Sequence, residues 1–151
     1  MTLSDEIQDF VAHWFPLADP DEAAGVYDES FVHTIQGQMA AHLSILYRVL
    51  VSVVPMGRDA SALHVGLLCN AVVLPQWRGN GLMHPLYEQA HERMKKMGFP
   101  FSISIARWPE REARYGYKPA PNLHKEAMVL ELGDVSWPKG KVRLTEGDKW
   151  E

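Results

Sequence analysis

The chain has 151 residues, 46% of them hydrophobic and 23% charged, a balance that fits one globular domain and excludes disordered and fibrous classes. Its net charge of -4 includes no long basic block, which argues against a nucleic-acid backbone as partner. The one cysteine, Cys69, closes no internal disulfide, the acidic start Met1-Thr2-Leu3-Ser4-Asp5-Glu6 is unlike a signal peptide, and no stretch approaches the ~18 apolar residues of a membrane span; the expectation is a soluble, cytoplasmic protein.

Ser4 followed by Asp5 and Glu6 reads as an N-cap with acids in the first turn, and Ile7, Phe10, Val11 and Trp14 recur at helical spacing, which predicts a helix over 5–15. Pro16 and Pro20 stop it, and 21–27 is expected as a second short helix before the extended run Phe31-Val32-His33-Thr34-Ile35 and a turn at Gly37-Gln38. From Met39 to Val54 the chain is rich in Val, Leu, Ile and Tyr and reads as a long strand. Pro55-Met56-Gly57-Arg58-Asp59 is the loop after it, and 62–74 returns as the second arm of a long hairpin. Leu82, Leu86, Ala90, Met94 and Met97 then mark an amphipathic helix ending at Gly98. Strands are expected over 101–106, 127–132 and 142–144, and a short helix over 109–115. This order predicts a mixed sheet with helices on its faces, in a single domain over 1–151.

The stretch richest in chemistry is Val72-Val73-Leu74-Pro75-Gln76-Trp77-Arg78-Gly79-Asn80-Gly81-Leu82-Met83, where a strand ends at proline and a glycine-containing loop opens a helix. Free backbone N–H groups and the positive end of a helix dipole make such a junction an anion cradle, although two glycines alone also suit an ordinary loop. There is no Walker-type Gly-Lys-Ser/Thr and no third Rossmann glycine, which disfavours ATP and NAD.

The segment resembles the signature of the GCN5-related N-acetyltransferases (GNAT): a strand ending Val-x-Pro, then Gln/Arg-x-x-Gly-x-Gly/Ala at the head of a helix. Val73-Leu74-Pro75 and Arg78-Gly79-Asn80-Gly81-Leu82-Met83 reproduce it, with Met83 standing where glycine or alanine is usual, and Gly116-Tyr117 resembles the family's Gly-Phe. The resemblance implies an α/β (α+β) fold with a mixed, mostly antiparallel central sheet and helices on both faces. It implies an acetyl-CoA or other acyl-CoA donor held by Val72, Val73, Leu74, Arg78, Gly79, Asn80, Gly81, Leu82 and Met83. The acceptor would be an amine, on a small molecule or a protein, and the family resemblance is compatible with a homodimer. A narrower likeness to the nodulation N-acyltransferases (NodA-like) rests on Ala40-Ala41-His42-Leu43, Leu46, Arg48, Pro100-Phe101, Trp137-Pro138-Lys139-Gly140 and Val142. It widens the donor to longer acyl chains, on CoA or acyl carrier protein; Arg78 favours CoA.

In the implied reaction an amine attacks the thioester directly, and a backbone N–H near Val73 steadies the charge on the carbonyl oxygen. His42 is the candidate base, since imidazole titrates near neutrality and its strand is expected beside the donor strand; the alternative is a buried histidine satisfied by backbone. Tyr115 is the candidate for protonating the leaving thiolate. Glu112 competes from a position nearer that of the family's tyrosine, and packing is the other role open to Tyr115. Period-two alternation puts Leu67, Cys69, Ala71 and Val73 on one strand face, with Cys69 read as a buried structural thiol or a nucleophile. Trp77 either covers the pantetheine arm or makes a surface contact. The seven histidines show no metal-ligand spacing, so no metal is expected. The same residues also allow a CoA- or protein-binding module with weak catalysis, or an unrelated α/β interaction protein.

Overall fold

From Gln38 to Ser52 nothing in the sequence interrupts an extended chain, and those fifteen residues form a single strand, β2. The structure, a computed structural model, describes residues 27–53, 62–106 and 109–145. The helices expected over 5–15 and 21–27, apart from Tyr27, and the loop 55–59 fall outside the described residues. The chain packs as two units, Met1–Leu46 with Cys69–Ala90, and Tyr47–Leu68 with His91–Glu151.

In the first unit, β1 (Glu29–Ile35) runs antiparallel to the first part of β2, from Glu29 opposite Ile45 to Ile35 opposite Gln38. Gln36 and Gly37, at φ 53° and 77°, close this hairpin as a two-residue turn of the type that matches strand twist, one residue earlier than expected. β2 is buried at every position from Met39 to Leu46, the pattern of a strand covered on both faces. β3 (Ala62–Val73) leads through a 3-10 turn at Pro75–Trp77 into helix α1 (Met83–Lys96), which carries Leu86 and Tyr87 at 1% exposure and Ala90 at none.

In the second unit, β3 pairs in parallel with β4 (Phe101–Ile105) through Gly66, Leu67 and Leu68 opposite Ser102, Ile103 and Ser104. α1 ends in a Schellman pattern, with Gly98 N–H on the Lys95 carbonyl and Phe99 N–H on the Met94 carbonyl, both at 3.0 Å. Arg93, Lys95 and Lys96 in its last turn suit the negative end of the helix dipole. The short helix α2 (Pro109–Ala113) leads to β5 (Lys118–Pro119), β6 (Ala127–Glu131) pairs antiparallel with both β4 and β5, and β7 (Val142–Thr145) lies antiparallel to Val49–Ser52 of β2. Strand order is β1-β2-β3-β4-β6-β5, with β7 beside β2, a seven-stranded mixed and mostly antiparallel sheet. Among the described residues, no helix is long and apolar enough to cross a membrane.

β4 alternates Phe101 and Ile103 with Ser102 and Ser104, and its apolar face joins Leu50, Val65, Val129 and Val142 in one core. Ser102 instead meets the Tyr117 hydroxyl at 2.6 Å, and that hydroxyl meets His91 Nε2 at 2.7 Å. Asn122 pins the chain on its way to β7: its amide donates to the Pro138 and Gly140 carbonyls at 2.8 and 2.6 Å, and its Oδ1 accepts the Trp137 indole N–H at 2.9 Å. Trp137 meets Phe101 edge to face, ring centres 5.0 Å apart.

Burial, reinforced by the Lys95 charge, lowers the His91 pKa from 6.5 to about 4, so the unfolded chain binds the proton more readily. Folding stability contributed by neutral His91 is present above pH 6.5 and is lost as pH falls toward 4; denaturant titrations across that window should show a shallower acid limb in His91→Phe. Tyr117→Phe, which leaves Ser102 and His91 without the hydroxyl, should lower stability by about 1–3 kcal/mol at neutral pH in the same assay. A Cβ on Gly66 would stand 2.6 Å from the Met94 sulfur, so Gly66→Val should also cost about 1–3 kcal/mol.

Candidate functional site

The junction between β3 and α1 is built by short-range bonds. Leu74 N–H donates to the Ala40 carbonyl at 2.8 Å, fixing the end of β3 on β2, and Trp77 N–H closes the proline turn on the Leu74 carbonyl at 2.9 Å. Arg78 folds back, its Nε donating to the Val73 carbonyl at 2.9 Å, and the Asn80 amide donates to the Trp77 carbonyl at 3.0 Å. Gly79 and Gly81 then take φ 84° and 70°, left-handed values that side-chain-bearing residues rarely adopt. At both, no atom lies within 4 Å of where a Cβ would stand, so the loop backbone borders open space.

α1 starts at Met83, its first turn holds no acid, and Pro85 has no N–H to offer. The helix therefore presents its positive end to the loop without a carboxylate in competition. Val72 and Leu74 are buried at 8% and 7% exposure, Val73, Leu82 and Met83 are half-buried, and Arg78, Gly79, Asn80 and Gly81 are exposed. Met83, where the family pattern has glycine or alanine, thus brings a half-buried thioether to the first helical position. Among the described residues, the Trp77 indole nitrogen is a buried polar atom with no hydrogen-bond partner.

Of Leu67, Cys69, Ala71 and Val73, expected to share one face of β3, Cys69 is buried and the other three are half-buried. Asn70 sits at φ 50°, a left-handed value that turns the strand locally. His42, on β2, is completely buried. Its Nδ1 lies 2.9 Å from the Asn70 carbonyl and must donate to it; its Nε2 lies 2.7 Å from Ser44 Oγ, which lies 2.8 Å from Ser30 Oγ. Burial lowers the His42 pKa, against a smaller upward pull from the Asn70 carbonyl. Both ring nitrogens are thus engaged inside the protein, and the neutral imidazole has no nitrogen open to an acceptor amine. Tyr27 stacks obliquely on the same ring, centres 5.5 Å apart, and its hydroxyl accepts the Asn70 side-chain amide.

The other two candidates belong to the second unit. Glu112, in α2, has no exposed surface, and its Oε1 accepts Arg111 Nε at 3.0 Å. Its backbone carbonyl accepts the N–H groups of Tyr115 and Tyr117 at 3.0 and 3.3 Å, shaping the turn on which Tyr115 lies half-buried. Cys69 is a buried free thiol. The sequence reading missed Asn70, Ser44 and Ser30 around His42, and the Tyr117 hydroxyl. An asparagine inside a Val/Leu-rich strand was the one available signal, since asparagine tolerates the left-handed region better than other non-glycine residues.

The family profile described as an acetyltransferase (GNAT) domain matches residues 2–120. Among solved structures, a GNAT family N-acetyltransferase from Escherichia coli in complex with CoA is similar at a TM-score of 0.70 and 19% identity, covering 97% of this chain and 87% of that one. A GNAT family acetyltransferase from Brucella melitensis in complex with acetyl-CoA is similar at a TM-score of 0.64 and 19% identity, covering 92% and 87%. An aminoglycoside 6'-N-acetyltransferase complexed with coenzyme A gives 0.57 and 13%, covering 91% and 93%. No curated protein matches the sequence. With the profile spanning well over half of its length, the chain belongs to the GNAT acetyltransferase domain family.

Proposed function

We propose that the chain is a single-domain N-acyltransferase that takes an acyl group from acyl-CoA and passes it to an amine of a small molecule or a protein. The observation that carries this reading is the β3–α1 junction: two left-handed glycines bordered by open space, at the head of a helix whose first turn holds no acid. These are the features a pyrophosphate needs, backbone N–H donors it can approach closely and a positive helix end. The unpartnered Trp77 indole N–H adds a donor in the same loop. The CoA and acetyl-CoA complexes of similar folds support the same donor.

When bound, the donor supplies a thioester carbonyl. The acceptor nitrogen forms the C–N bond as the C–S bond breaks; one proton leaves the nitrogen and one reaches the sulfur. Tyr115, whose side chain is half-buried, is the group we assign to protonating the sulfur, and wholly buried Glu112 we assign to holding the turn beneath it. The likeness of Ala40-Ala41-His42-Leu43 and Trp137-Pro138-Lys139-Gly140 to nodulation N-acyltransferases keeps longer acyl chains among the donors to test.

A second reading, a CoA-binding module with little turnover, is favoured by Met83 at the head of α1. Thermal unfolding with acetyl-CoA and with a long-chain acyl-CoA tests the donor site. Binding to the native state should stabilise it by ~2.7 kcal/mol at a hundred times Kd, and Gly81→Glu, which fills the space over the loop, should abolish the shift. Thiol release with a panel of amines then separates the two readings, since a binder shifts but releases no thiol. For an active enzyme, Tyr115→Phe should lower kcat by about 100-fold or more with donor affinity unchanged, whereas Glu112→Gln should lower thermal stability with a smaller effect on kcat.

A further inference from the structure

Asn70 is a non-glycine residue in the left-handed region, φ 50°, in the middle of the strand that runs into the donor loop. Such a conformation persists only where the surroundings determine it. Here they do so from two sides. The Asn70 carbonyl accepts His42 Nδ1–H at 2.9 Å, and its side-chain amide donates to the Tyr27 hydroxyl.

His42 is itself held in one tautomer. A carbonyl only accepts, so the proton is on Nδ1; neutral Nε2 must then accept from Ser44, 2.7 Å away, and the Ser44 oxygen is left to accept from Ser30 at 2.8 Å. The bonds form a one-way chain from the Ser30 hydroxyl through Ser44 and the imidazole to the Asn70 carbonyl. All of these residues are in the same unit as the donor loop.

The left-handed residue alters the course of β3 on its C-terminal side. Three residues of β3 follow Asn70, of which Val72 is buried and Ala71 and Val73 are half-buried. The Ala71–Val73 backbone is thus the stretch that lies between the left-handed residue and the loop.

We propose that His42 is a positioning residue: through this one-way hydrogen-bond chain it clamps the Asn70 peptide in its left-handed conformation and so orients the Ala71–Val73 backbone toward the acyl donor. The inference rests on the donor site proposed above, and it gives the histidine a role other than removing the acceptor's proton.

Calorimetric titration with acetyl-CoA, at a temperature where each variant is folded, reads the effect. His42→Phe keeps the ring and loses both bonds, and should weaken acetyl-CoA binding by about tenfold. His42→Asn places an amide nitrogen where Nδ1 stood and should restore affinity to within about threefold. Asn70→Gly accepts a left-handed φ unaided, so His42→Phe in that background should cost far less than alone. Ser44→Ala, the milder variant should His42→Phe fail to fold, should weaken binding in the same direction. Nitrogen-15 spectra of the imidazole should show a protonated Nδ1 and an unprotonated Nε2. Unchanged acetyl-CoA affinity in His42→Phe and Ser44→Ala overturns the positioning role while leaving the donor site intact, as does an Nε2-protonated ring. A wild type that does not bind acetyl-CoA at all overturns the donor site and the clamp together.

Discussion

Two parallel neighbouring strands cannot be joined by a tight turn, and the pairing of β3 with β4 therefore imposes a crossover. The chain leaves β3 at Val73, must cover the length of the sheet, and does so as α1 before it re-enters at Phe101. That requirement sets a strand's end against a helix's beginning. The proline turn, the folded-back Arg78 and the two left-handed glycines are local solutions to making that connection within a short loop, and they leave the loop backbone bordering open space at the head of α1, the arrangement on which the proposed donor site rests.

The polar groups inside the two units follow one rule from opposite starting points. A buried hydroxyl or imidazole is tolerated only when hydrogen-bonded, so each polar residue in a strand has to find a partner. In the second unit Ser102, Tyr117 and His91 satisfy one another, and Asn122 satisfies two carbonyls and an indole at once. In the first unit, Ser30, Ser44 and His42 do the same, but their chain ends on a backbone carbonyl whose own conformation is out of the ordinary. The first arrangement stiffens a core; the second ends at a peptide just ahead of the loop between β3 and α1.

Much of the architecture was legible because it rests on local pattern. Leu86, Ala90 and Met94 repeat at helical spacing and are all buried in α1, and the uninterrupted β-formers from Met39 onward are one strand. β5 was not legible, since two residues ending in proline carry no periodicity. The surroundings of His42 were not legible either. Its partner Asn70 is 28 residues away, and Asn70 in turn meets Tyr27 across 43 residues, pairings that only the register of three strands brings about. The hydroxyl of Tyr117 was invisible for the same reason: beside Gly116 it reads as an aromatic in a familiar place, and its meaning comes from Ser102 and His91.

The position of β7 bears on how the protein is made. Val49–Ser52 is synthesised early, yet the strand it pairs with, Val142–Thr145, is the last of the described strands to leave the ribosome. Contacts of such long sequence separation form slowly, because the loop must close before any pairing rewards it. That stretch of β2 therefore waits on the ribosome with an open edge, rich in Val and Leu, while the chain from β3 to β6 is translated. An exposed edge of that composition is one at which nascent chains pair with one another, so until β7 arrives this segment stays open to a neighbouring chain.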